Sequence, residues 1–344
     1  MKQQWNFNTA KLTLMLVFLE AILVISFESY ITYTYFTMKS GLENSSQEAP
    51  KHGTSGSGME SIETLKVKVN SLFVYFIIFI SSQIFQVVLI WDALKFQNTI
   101  QIIGFLVFHF CCFGYSIIQW FQLYSFLDIF RVSDVPEELL LYAIIIAGVI
   151  LLFQMIFTLA GWKLYQEFGW KIYKRIGADL RMKERYRAYQ IFLMLIKMDI
   201  FFFLGFCVQF LVLVLRNSDL EIPLTIAAMP LIIITLIVAI YGIRREDKTM
   251  VRIFLGGLFC GAGYFAFKII KMWIQRHEDK YQNVIIFLSF FAALSLIMII
   301  LTIVQTWVCH RNFGKGLKAY IQSSPHGIAY AQQASERYMT LEDD

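Results

Sequence analysis

"GWKLYQEFGWKIYKRIGADLRMKERYRAYQ" occupies Gly161–Gln190 and lies between two apolar runs, "LYAIIIAGVILLFQMIFTLA" (Leu141–Ala160) and "IFLMLIKMDIFFFLGF" (Ile191–Phe206). A helix needs about 20 apolar residues to cross the hydrocarbon core of a bilayer. Between the runs fall eight basic residues: Lys163, Lys171, Lys174, Arg175, Arg181, Lys183, Arg185 and Arg187. Apolar, strongly basic, apolar is the pattern of two membrane spans joined on the side that retains positive charge.

The rest of the chain repeats the apolar theme. Of 344 residues, 58% are hydrophobic, 33 are Phe and only 16% are charged, against about 25% charged in soluble domains. Eight runs reach membrane length: 12–36, 69–94, 99–124, 138–162, 188–215, 221–243, 252–271 and 283–308. The first is too long for a cleaved signal peptide and lacks a small-residue cleavage site, so it is expected to remain as an anchor. Pro230 interrupts the sixth run, which a membrane helix tolerates. The expected fold is an all-α polytopic helical bundle of eight transmembrane helices.

Eight spans put both termini on one side. With that side cytosolic, it carries 19 Lys and Arg, against nine on the other side, so the charge bias assigns both termini to the cytosol. The chain then divides into a cytosolic N-terminus (1–11), a membrane domain (12–308) and a flexible cytosolic tail (309–344). The membrane domain includes a lumenal loop at 37–68 and the basic cytosolic loop at 163–187. The lumenal loop contains "ENSSQ", which makes Asn44 a glycosylation sequon. It also contains the flexible stretch "GTSGSG".

The basic segment has a pattern of its own. Tyr165, Phe168, Ile172, Ile176 and Leu180 recur at three- and four-residue spacing, which predicts an amphipathic helix resting on the membrane surface and ending near Gly177. Lys171, Lys174, Arg175, Arg181, Lys183, Arg185 and Arg187 are candidate contacts for anionic lipids or a protein partner. The plainer alternative is a solvated loop that obeys the charge rule alone. Nucleic acid is set aside, because two adjoining spans already account for the charge.

Segments "WDALKFQNTIQIIG" (Trp91–Gly104), "YQEFGWKIYKRIGADLRMKERYRAYQIF" (Tyr165–Phe192) and "KMDIFFFLGF" (Lys197–Phe206) resemble an uncharacterised family of fungal Golgi apparatus membrane proteins. The resemblance covers about residues 10–310. It implies a multi-span protein of the Golgi membrane and supplies no activity or catalytic residues.

Ionisable groups inside spans cost several kcal/mol unless paired, which makes each a candidate site. Seven polar residues form an expected mid-membrane layer: Glu20, Gln83, Gln86, His109, Gln154, Lys197 and Asp199. At 1.5 Å rise per residue, Glu20 and Lys197 both come out about 13 Å deep, and His109 and Asp199 about 15 Å deep. Matched depth permits Glu20–Lys197 and His109–Asp199 pairs. The layer can specify helix packing, or it can line a substrate or proton pathway. Lys268 and Lys271 are expected to snorkel to the lumenal surface. Gly257 and Gly261 form a GxxxG that suits close packing within the bundle or between copies.

Other signals exclude more than they assign. The five cysteines show no zinc-ligand spacing and read as buried thiols. "RHEDK" (Arg276–Lys280) lacks the second His of a zincin. "GKGLK" (Gly314–Lys318) lacks Walker spacing. No catalytic residue, metal site or cofactor is assigned. In the tail, Tyr338 and Leu341 fit a Tyr-x-x-apolar sorting signal read by coat or adaptor proteins. The sequence leaves three functional classes: a non-enzymatic trafficking or membrane-organising protein, a transporter or receptor using the polar layer, and an integral-membrane enzyme.

The topology is testable at Asn44. Glycosidase treatment should shift the mobility of the wild-type chain and leave Asn44→Gln unchanged. An untreated wild-type chain that already migrates with Asn44→Gln would remove this support for a lumenal first loop.

Overall fold

The computed structural model describes residues 7–48, 56–130, 138–176, 180–213, 221–276 and 285–315. Its helices are α1 (Phe7–Glu48), α2 (Gly56–Lys95), α3 (Thr99–Phe130), α4 (Glu138–Ile176), α5 (Leu180–Leu213), α6 (Glu221–Arg245), α7 (Lys248–Ile274) and α8 (Ile285–Arg311). Each is long and apolar enough to cross a membrane. The expected eight-helix membrane bundle is therefore borne out, and no strand occurs among the described residues.

The helices form two rings of four. In the first, α1 packs on α2, α2 on α3, α3 on α4, and α4 returns to α1. In the second, α5 packs on α6, α6 on α7, α7 on α8, and α8 returns to α5. α5 joins the rings through α2 and α3. The shared connectivity extends to the turn between the second and third helix of each ring. Gln97 and Glu246 both adopt left-handed backbone, with φ of 51° and 57°. The Asn98 amide donates to Ala93 O, and the Asp247 amide to Gly242 O, each at 2.9 Å. Gln97 and Glu246 also donate backward, to Leu94 O and Ile243 O. These bonds close the outgoing helix with its last carbonyls satisfied. The next residue caps the incoming helix: Asn98 Oδ1 accepts from Ile100 N, and Asp247 Oδ1 from Thr249 N. No glycine or obvious sequence repeat announced this duplication.

Aromatic rings fill the junction between the two bundles. Phe201 of α5 stacks on Phe85 of α2 at 4.8 Å and meets Phe108 of α3 edge-on at 4.9 Å. Tyr75 stacks on Phe287 at 3.7 Å, and Tyr115 meets Phe291 edge-on. Such pairs contribute about 0.5–1.5 kcal/mol each beyond the area they bury. Between lipid-soluble helices, this shape matching matters more than hydrophobicity, because lipid tails are as apolar as the side chains.

Four expectations need correction. Residues 37–48 and 56–68 continue α1 and α2 rather than forming an open loop. The amphipathic segment after Trp162 is an unbroken continuation of α4, not a separate surface helix. Of that apolar face, Phe168 turns into the first ring's core with Ile102 and Phe105, whereas Tyr165 is 42% exposed. Lys268 does not snorkel: it is buried, with its ammonium 4.0 Å from the Phe210 ring centroid, a favourable cation–π placement. The GxxxG of α7 makes no tight helix approach within the bundle: a Cβ at Gly257 would meet no atom within 4 Å, and one at Gly261 would reach Ile299 Cδ1 at an ordinary 3.7 Å.

Close helix approach occurs elsewhere, at Gly205 of α5. A Cβ there would lie 2.5 Å from Phe291 Cε1 and 3.0 Å from Cδ1, on a ring held in the aromatic junction. Gly205→Ala should destabilise the bundle by about 1–3 kcal/mol, read as a lower unfolding midpoint in detergent, while Gly257→Ala should not lower it. Equal midpoints for both variants would show that the junction is not tightly packed.

Candidate functional site

The first ring encloses a chain of polar side chains drawn from all four of its helices. Gln86 (α2) donates through Nε2 to Gln83 Oε1 at 2.7 Å and to Glu20 Oε2 (α1) at 3.0 Å. Glu20 Oε1 lies 2.8 Å from His109 Nε2 (α3). His109 Nδ1 lies 2.6 Å from Gln154 Oε1 (α4), and Gln154 Nε2 reaches Thr158. Glu20, Gln83, Gln86 and His109 are each 0% exposed, so these bonds stand in for much of their lost hydration.

The chemistry of the chain follows from its donors. A carboxamide oxygen can only accept, so Nδ1 of His109 carries a proton and donates to Gln154. Nε2 of the same ring faces the Glu20 carboxyl, so His109 bridges α1 and α4. Gln83 Nε2 and Gln86 Oε1 meet no partner among the described residues.

Five of the seven residues read as a polar layer thus come together. Lys197 and Asp199 do not join them, and the depth-matched pairs Glu20–Lys197 and His109–Asp199 are not formed. Lys197 instead pairs with Asp92 of α2, and Gln101 Nε2 of α3 donates to the same Asp92 Oδ2 at 2.7 Å. Asp199 faces α8 and accepts from Thr302 Oγ1 at 2.6 Å. The physical reason is the length of α5. It begins at Leu180, two turns before its apolar run, so depth counted from the run's start does not say which neighbour it faces. Two residues on one helix also point apart by about 200°, which sends Lys197 to the first ring and Asp199 to the second. Glu28 is 0% exposed and accepts from Gln119 Nε2 at 2.6 Å, one level away from Glu20 along the same two helices.

Asp92, Gln101, Gln119 and Thr302 were missed as members of these clusters. Asp92 and Gln101 sit at helix ends, where a polar residue looks like an ordinary interfacial one. Gln119 and Thr302 are uncharged and carry no signal until a buried carboxylate faces them.

Positive charge concentrates at the end of the bundle where α2 meets α3, α4 meets α5 and α6 meets α7. Arg181 and Arg187 are exposed and Lys183 is half-buried on the first turns of α5. Arg185 Nη1 donates to Lys315 O. Arg244 Nε donates to Tyr189 Oη at 2.7 Å. Lys171, Lys174 and Arg175 lie on the last turns of α4, with side chains outside the described residues. Asn44 lies on α1 with its side chain likewise outside the description, and Tyr338 and Leu341 fall outside the described residues. A cavity of about 150 Å³ opens at this basic end, lined by parts of α3, α4 and α5.

The chain is 27% identical over 340 residues to a UPF0658 Golgi apparatus membrane protein of Schizosaccharomyces pombe, covering 91% of this chain and 90% of the relative. No family model and no solved structure matches the chain. The homologue and the eight membrane-length helices bear out the expected class and location, a multi-pass protein of the Golgi apparatus membrane. The relative's name states no activity.

The Glu20–His109 contact should behave as a coupled buried pair. His109→Leu alone strands the carboxyl and should cost about 3–5 kcal/mol. Adding Glu20→Met should recover most of that loss in detergent unfolding. Strictly additive effects of the two substitutions would mean that the groups do not interact.

Proposed function

We propose that this protein is a non-enzymatic organiser of the Golgi membrane that works through its basic, cytosolic end. One contrast carries the reading. The central polar residues of the first ring, Glu20, Gln83, Gln86 and His109, are 0% exposed and joined by hydrogen bonds. The basic end, by comparison, is open and presents Arg181 and Arg187 to solvent. A transport site needs access to its polar groups from each side in turn, whereas a recognition surface needs only an exposed end. On this reading the enclosed polar chain fixes the register of α1–α4. The basic helix extensions then attract an anionic bilayer surface, and the tail, with Tyr338 and Leu341, engages coat or adaptor proteins.

A second reading has one specific observation in its favour. Glu28 Oε2 and Asp199 Oδ1 are buried carboxyl oxygens with no partner among the described residues. Together with Glu20–His109, they would suit a proton-coupled transporter or sensor. Proton flux in proteoliposomes that Glu20→Gln abolishes would favour it over the organiser.

The organiser reading is tested by replacing Lys171, Lys174 and Arg175 together with Gln. At about 1 kcal/mol per base near an anionic leaflet, affinity of the reconstituted protein for anionic vesicles should fall on the order of a hundredfold at low salt. The difference should shrink as salt rises. Unchanged vesicle binding would overturn the lipid part of the reading.

A further inference from the structure

The cavity at the basic end is more specific than a basic surface. It lies where the start of α3, the extension of α4 and the first turns of α5 meet. Lys183 and Arg187 supply two cations to its wall, and Tyr165 and Tyr186 supply two phenols. No carboxylate is among its described lining residues. Arg187 is exposed and makes no ion pair with any described residue. Gln190, only 6% exposed as a residue, also lines it. Its amide can donate twice and accept at its oxygen, so the cavity suits a polar occupant.

Size and charge narrow what that is. A cavity of about 150 Å³ accommodates roughly six heavy atoms, by analogy with engineered cavities of about that volume that hold benzene. A phosphate with its ester carbon has this size. A phosphomonoester carries about −1.5 to −2 charge near neutral pH and three terminal oxygens, which match two cations and a ring of neutral donors. A phosphodiester carries a single charge and offers fewer terminal oxygens. Trp162 and Trp170 of the same helix extension are 65% and 55% exposed, side chains of a type that favours the headgroup level.

We propose that this cavity binds a phosphomonoester, presented by a membrane lipid headgroup or by a soluble phosphate ester. The inference rests on the organiser reading, because it gives the basic end a defined ligand. Lys183 and Arg187 neutralise the phosphate, and Tyr165, Tyr186 and Gln190 donate to its oxygens.

Gly169 provides a test that leaves the charge untouched. It lines the cavity, and a Cβ there would meet no atom within 4 Å. Gly169→Leu therefore fills the cavity from a helical position where Leu is well tolerated. Full-length protein in micelles would be offered phosphatidic acid and phosphatidylserine at equal concentration, with retention read by native mass spectrometry. Phosphatidic acid should be retained about tenfold over phosphatidylserine, as one added charge-assisted hydrogen bond would give. Arg187→Gln and Gly169→Leu should each abolish that preference. Arg252→Gln, which removes another exposed base at the same end, should keep it. In a separate arm, glycerol 3-phosphate would be titrated while thermal unfolding is followed. A raised midpoint in the wild type that is absent in Gly169→Leu supports the site with a soluble ester as its source. Lipid preference without that shift supports a headgroup.

Equal retention of both lipids with no response to glycerol 3-phosphate overturns the proposal, as does a preference that survives both cavity variants. The organiser reading falls separately. It fails if the triple Gln variant of Lys171, Lys174 and Arg175 leaves anionic vesicle binding unchanged.

Discussion

A carboxyl group in the middle of a membrane bundle must be answered from within the protein, because hydrocarbon offers it nothing. Glu20 is answered across the whole first ring. His109 on the opposite helix meets one oxygen at 2.8 Å and Gln86 the other at 3.0 Å, while Gln154 orients the imidazole from behind. Three helices other than its own therefore have to stand at fixed height and rotation. Sliding any of them by one residue would move its polar group about 1.5 Å along the axis and about 100° around it, breaking the chain where rupture is most expensive. In a medium where apolar side chains gain little by leaving lipid, such bonds select one arrangement among many of similar contact area.

The second ring is held differently. Its enclosed carboxyl, Asp199, is met by a hydroxyl of the neighbouring α8, and Lys268 rests over the Phe210 ring. Against the first ring it is held by the aromatic junction, by Gly205, which lets the Phe291 ring approach the α5 backbone, and by the Lys197–Asp92 pair. The two halves share connectivity and the same left-handed turn, yet polar bonds set the register of one and shape sets much of the other.

This division has a functional side. On the proposed organiser reading, an interior that buries Glu20 and His109 and a positively charged end would place recognition outside the hydrocarbon, where the extensions of α4 and α5 meet the start of α3. Those extensions are continuous with membrane spans, so a ligand bound there contacts rigid helices rather than loops. Positioning on rigid elements favours selective binding, because little ordering entropy is lost when the ligand arrives.

The sequence by itself determined the class. Eight apolar runs of membrane length can only be helices, since a backbone in lipid must satisfy its own hydrogen bonds. It also determined which residues had to be special, because Glu20, His109, Lys197 and Asp199 are costly in hydrocarbon wherever they point. Its segments around Trp91–Gly104 and Tyr165–Phe206 carried the resemblance that located the protein at the Golgi. Pairing was decided only by tertiary structure. Depth along a helix is a one-dimensional quantity readable from residue number, whereas the direction a side chain faces depends on which helices surround it. Lys197 and Asp199 sit two residues apart, and one turns to Asp92 in the first ring while the other turns to Thr302 in the second. The cavity beside Arg187 was likewise invisible in the chain, because Thr99, Tyr165, Gly169 and Gln190 carry no charge and become neighbours only when α3, α4 and α5 are brought together at one end.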